Sequence, residues 1–63
     1  MRNHDLSPRD LDVIEQMVTQ GRSAKEAAHA LGISVKSVYV IKTRIVEKLA
    51  LDNWSQVVEK FSK

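Results

Sequence analysis

Cysteine is absent from the 63 residues, which excludes disulfides and thiolate metal centres and leaves no mark of an oxidising compartment. Glycine occurs twice and proline once, and no linker, repeat or low-complexity tract divides the chain. No run of residues sustains the period-two alternation of a strand, so the expected fold class is all-α. Apolar runs extend over only a few residues, and the N-terminal MRNHDLSPRD lacks an apolar signal core. A soluble cytoplasmic protein with no membrane partner is the expectation. The histidines are equally sparse: His4 and His29 stand alone, without paired carboxylates at ligand spacing, so no metal site is expected. No glycine-rich phosphate loop is present, and the well-placed serines serve as helix caps rather than nucleophiles. The reading is a non-enzyme without a cofactor. A chain of this length forms one domain, residues 1–63, whose small core holds only a few kcal/mol unless oligomerisation or a larger protein braces it.

What is present is a succession of helix signals. Residues 1–5 are polar and expected to fray. Ser7, Pro8 and Asp10 form a helix start, with Ser7 as cap, Pro8 in the first turn and Asp10 closing a capping box. The first helix is expected over 8–20, facing Leu11, Ile14, Met17 and Val18 inward with Val13 at the margin, and ending on a left-handed Gly21. Ser23 and Glu26 repeat the box for a helix over 24–31, with Ala27, Ala28 and Leu31 inside and Gly32 as its end. Only Ile33 then intervenes before Ser34 caps a helix over 35–49. Helix, glycine turn, helix is the arrangement that presents its second helix to a DNA major groove. Asn53 and Gln56 suggest a third box for a last helix over 54–62, whose Trp54, Val57, Val58 and Phe61 share one face.

The third helix concentrates the charge. In SVKSVYVIKTRIVEKL, Lys36, Lys42, Arg44 and Lys48 against Glu47 give +3, whereas residues 1–33 sum to −1 and 50–63 to zero. Stepping at about 100° per residue places Val38, Ile41, Ile45 and Leu49 on one stripe. Lys36, Tyr39, Val40, Thr43 and Glu47 fall on the opposite side. One face packs, and the other suits a polyanionic groove.

LSPRDLDVI, QGRSAKEAAHALGIS, VKSVYVIKTRIVEKL and LDNWSQVV, in that order and spacing, resemble the four-helix DNA-binding domain of LuxR/FixJ-type transcription regulators, over Leu6 to Val58. The resemblance implies a bacterial helix-turn-helix domain that binds double-stranded DNA as a homodimer through its last helix. It also implies a linked receiver or ligand-sensing domain, so that the chain is either an excised C-terminal domain or a short regulator. Carried over by position, base contacts fall on Tyr39, Val40 and Thr43, with Lys36 beside them. Backbone contacts fall on Lys25, Ser37, Lys42, Arg44 and Lys48. The face of the last helix, Trp54, Val57, Val58 and Phe61, is expected to form the dimer interface; Val57, Val58 and Phe61 could equally complete the core, whereas the size of Trp54 near the helix start points to a subunit or domain interface. The chain departs from the family pattern at Tyr39, where a basic residue is common, at Ile41 for histidine, at Ala27 for isoleucine and at Ala50 for glycine. A phenol cannot make the bidentate contact to guanine that arginine makes. The departures at Tyr39, Ile41 and Ala27 favour the competing expectation, a helix-turn-helix descendant serving as a protein adaptor or dimerisation module.

Overall fold

The computed structural model describes residues 6–62, in which α1 (Pro8–Ile14), a π-helical turn (Glu15–Thr19), α2 (Ala24–Leu31), α3 (Val35–Lys48) and α4 (Trp54–Phe61) follow one another without a strand. Residues 1–5 and Lys63, including the expected frayed end and His4, lie outside the described residues. Each helix starts on the expected cap. Ser7 Oγ accepts from the Asp10 amide and Ser23 Oγ from that of Glu26, and both boxes are closed by the returning carboxylate. Ser34 Oγ accepts from the Ser37 amide. At Asn53 only half of the expected box forms, because Gln56 Oε1 accepts from Asp52 N–H at 2.8 Å instead of from the cap residue's own amide.

The core gathers Val13, Val38, Ile45 and Val57, all fully buried, with Leu6, Ile14, Ala24, Ala28, Ile41 and Leu49. Ala24, Ala27 and Ala28 are the buried face of α2, and their small side chains let α3 approach closely. Ile33 is half-buried against the core at the corner between the two helices. The first helix differs from expectation. Val13, expected at the margin, is fully buried, while Leu11, expected inside, is 45% exposed. The inward stripe is Asp10, Val13, Ile14 and Met17, the i, i+3, i+4, i+7 pattern, with a carboxylate at its first position. That stripe leaves Leu11 one residue step round the helix.

The helix does not continue in α form to Gln20. Gln20 N–H donates to Glu15 C=O at 2.9 Å, the i→i−5 bond of a π turn, and Gln16, Met17 and Val18 all come to lie half-buried in succession. Three consecutive residues of an α-helix would sweep about 200° and could not share one side; the wider turn relaxes that limit.

Two helices end in the same way. After α2, Gly32 (φ +70°) donates to His29 C=O and Ile33 to Ala28 C=O. After α3, Ala50 donates to Glu47 C=O and Leu51 to Val46 C=O. Both are Schellman ends with a left-handed residue. At the second that residue is Ala50, at φ +57°, where a Cβ is penalised. Ala50→Gly is therefore expected to stabilise the chain by about 1 kcal/mol, the relief of strain exceeding the added unfolded-state entropy. The urea midpoint should rise at constant slope; an unchanged or lower midpoint would refute the strain.

Candidate nucleic-acid interface

The outer face of α3 is built by the stripe opposite it. With Val38, Ile41, Ile45 and Leu49 fixed in the core, Lys36, Tyr39, Val40 and Thr43 are turned to solvent. Tyr39 is 54% and Val40 52% exposed, adjacent in sequence and unprotected. Thr43 Oγ1 donates to Tyr39 C=O at 3.1 Å, so in the free protein its hydrogen is engaged while the exposed side chain keeps an acceptor oxygen and a methyl.

Beside this face runs an open groove lined by Arg9, Ile33, Lys36, Ser37, Val40, Ile41 and Arg44. Its floor is apolar and its rim cationic. Ser34 Oγ donates to Ser37 Oγ at 3.0 Å, which leaves the Ser37 hydroxyl hydrogen free to donate to an incoming anion. Lys36, Ser37, Val40 and Arg44 are thus brought together, as their helical spacing implies. Arg9 is missed by sequence reading, because an exposed arginine on α1 joins α3 only through tertiary packing. Lys25 is exposed on α2 and lines a different groove with Arg22, Glu26 and His29.

Asp10 organises the cations at the far end of the helix. Its side chain is fully buried; Lys48 Nζ donates to Oδ2 at 2.7 Å, and Arg44 Nη2 lies 3.8 Å from Oδ1. Ser7 N–H also donates to Oδ2, at 3.0 Å. Burial by itself would raise the Asp10 pKa. The Lys48 hydrogen bond, the Ser7 amide and the charges of Lys48 and Arg44 outweigh it, and the carboxyl sits below its ordinary 3.8. Lys48, read from the sequence as a phosphate contact, has its ammonium turned inward onto this carboxylate. Its position in the chain gives no hint of a partner 38 residues away. Arg44 keeps a side chain 50% exposed and faces both Asp10 and the groove.

Lys42 is half-buried, with its Nζ 5.1 Å from the Tyr39 ring centroid and 5.1 Å from that of Trp54. Burial lowers its pKa. Trp54, at the first turn of α4, is thereby tied to the outer face of α3 as well as to the core. Among the residues assigned to a dimer interface, Val57 must be withdrawn: it is fully buried within its own subunit, at the centre of the inward stripe of α4. Trp54, Val58 and Phe61 are half-buried; Trp54 and Phe61 pack on the core, and Val58 is not among the residues packed there.

The family model for bacterial regulatory proteins of the luxR family matches residues 4–61, nearly the full chain. The chain belongs to the luxR family. Its four-helix helix-turn-helix fold is that of the family's DNA-binding regulator domain, not of an enzyme family. The luxR-type chain is also 44% identical over 46 residues to the transcriptional regulatory protein TdiR of Thauera aromatica. That similarity covers 73% of this chain and 20% of TdiR, so the chain corresponds to about a fifth of its relative. No solved structure matches it. Among the described residues, no helix is long and apolar enough to cross a membrane, and no cluster of His, Asp or Glu could hold a metal ion.

Proposed function

We propose that this luxR-type domain controls transcription by binding double-stranded DNA with α3 in the major groove. Tyr39, Val40 and Thr43 contact base edges, with Lys36 at the margin. The observation that carries this reading is the pair Tyr39 and Val40, both more than half exposed, beside a rim of Arg9, Lys36 and Arg44. Two large side chains left side by side in water lose the favourable burial that a partner would restore. The cations around them call for a polyanion. Val40 and the Thr43 methyl suit thymine methyl groups, and the Tyr39 ring can stack or offer one hydroxyl hydrogen bond. Phosphates on the two strands would be held by Arg9, Lys36, Ser37 and Arg44 from one side and by Lys25, at the start of α2, from the other.

A salt titration of the chain against random and selected duplexes tests the reading. Affinity should fall steeply with salt, with a slope of about −0.9 per phosphate neutralised. Thr43→Ala and Tyr39→Ala should change which sequence is preferred, whereas Lys36→Ala should weaken all duplexes more evenly. Salt-independent association with a protein, and no binding to any duplex, would instead favour the adaptor reading.

The domain pairs on DNA through α4, with Val58 and Phe61 contributing to the seam; Trp54 is engaged by Lys42 and the core instead. Val58 is the residue to probe, since it is half-buried beside the fully buried Val57. Val58→Asp should shift sedimentation towards monomer in the presence of a two-site duplex; unchanged association would remove α4 from the interface. The much greater length of TdiR supports a linked receiver or sensor domain in the parent protein.

A further inference from the structure

The phenol at position 39 raises a question that the family pattern does not answer: an exposed tyrosine rotates freely about two torsions, yet base discrimination needs a fixed ring. Tyr39 and Lys42 lie on the same surface of α3, one turn apart, and Trp54 begins α4. The single Lys42 ammonium stands 5.1 Å from both ring centroids, so two aromatic faces share one cation. Trp54 also packs on the core.

We propose that Trp54 is a positioning residue for DNA recognition: acting through the Lys42 ammonium, it restricts the Tyr39 ring to the orientation in which it meets a base. This rests on the reading of α3 as the recognition helix. The order of the contacts sets the direction of the effect. Trp54 is held by the core, Lys42 by Trp54, and Tyr39, the outermost member, by Lys42. Lys42 is then occupied within the protein and is not a free phosphate contact. Removing Trp54 releases the ammonium to solvent and the ring with it, which costs discrimination at the base pair under Tyr39 and leaves that under Thr43 alone.

The test uses the intact chain and a duplex selected by it from a random pool. The base pair read by Tyr39 is the one whose preference disappears in Tyr39→Ala. Trp54→Ala should reduce preference at that base pair by about threefold to tenfold, the value of one cation–π contact expressed as a ratio, and leave preference at the Thr43 base pair unchanged. Trp54→Phe, which keeps a ring face, should retain most of it. In a Tyr39→Ala background Trp54→Ala should have no further effect on preference.

Lys42→Met preserves side-chain length while removing the charge, and should reproduce the loss of preference even where Trp54→Ala proves too unstable to measure. Preference left intact by both Trp54→Ala and Lys42→Met, or lowered equally at every base pair, overturns the proposal and leaves the DNA-binding reading standing. A wild-type chain that binds no duplex removes both together.

Discussion

Lys48→Met is expected to lower the thermal midpoint by about 8–16 °C, corresponding to about 2 kcal/mol in a chain this small. The size of the effect follows from what is left behind. Asp10 is fully buried, and without Lys48 its carboxylate keeps, among the described residues, the Ser7 amide and an Arg44 guanidinium 3.8 Å away. Its Oδ1 already has no hydrogen-bond partner among the described residues. The figure lies below the usual cost of breaking a buried ion pair because the Lys48 side chain is itself 29% exposed. Asp10→Asn should cost less, since it removes the buried charge while preserving shape and an acceptor for Ser7 and Lys48. In an Asp10→Asn background, Lys48→Met should then be markedly less damaging than in the wild type. Urea denaturation of the four proteins gives the coupling directly. Equal effects of Lys48→Met in both backgrounds would mean that the carboxylate does not depend on the ammonium.

The same pair fixes an acid sensitivity. The folded-state pKa of Asp10 is depressed, so on acidification the unfolded chain takes up this proton first. The stabilisation is fully present above the ordinary carboxylate value and is lost as pH falls below about 4 towards the folded pKa. Asp10→Asn removes this contribution, and its thermal midpoint should fall less than the wild type's between pH 5.5 and 3.5.

How much of this could be read from the chain depends on the range of the interaction. Caps and helix ends are local, and Ser7, Ser23, Ser34, Gly21 and Gly32 act where their neighbours say they should. The two faces of α3 follow from periodicity alone, because an unbroken helix of 14 residues leaves no ambiguity of phase. The first helix defeated the same method. Hydropathy starts its stripe at Leu11, but a partner from α3 makes it possible to bury Asp10 instead, and that partner is far away in sequence. The π turn is likewise invisible to a fixed period. In α4 the stripe itself was legible; its division was not, for Val57 goes to the core while Val58 stays half-buried and off it. At the candidate site, the departure from the family at Tyr39 was plain, yet the link from its neighbour Lys42 to Trp54 exists only once α4 is packed. Ala50 was likewise visible as a missing glycine, and the left-handed backbone there supplies the reason.

Arg9→Ala together with Lys36→Ala is expected to weaken every duplex about 30-fold at 0.15 M salt and to reduce the slope of log affinity against log salt by about 1.8. The arithmetic treats each side chain as one neutralised phosphate. A contact with a slope of about 0.9 is worth about fivefold at that concentration and about 15-fold at 0.05 M, so the defect of the double variant should deepen as salt is lowered. Both residues are exposed and belong to the groove rim, and neither makes an ion pair or side-chain hydrogen bond among the described residues. Loss of binding would therefore not reflect loss of fold. Arg44 is a poorer probe of the same rim, because its truncation also removes charge from beside Asp10. Lys60→Ala, on the exposed surface of α4, supplies the control for a cation away from the groove, and should leave both slope and affinity unchanged. The informative comparison is between the single variants. A slope lowered by Lys36→Ala and untouched by Arg9→Ala would confine the DNA strand to α3 and exclude α1 from the interface. Equal reductions would place a phosphate between the two helices.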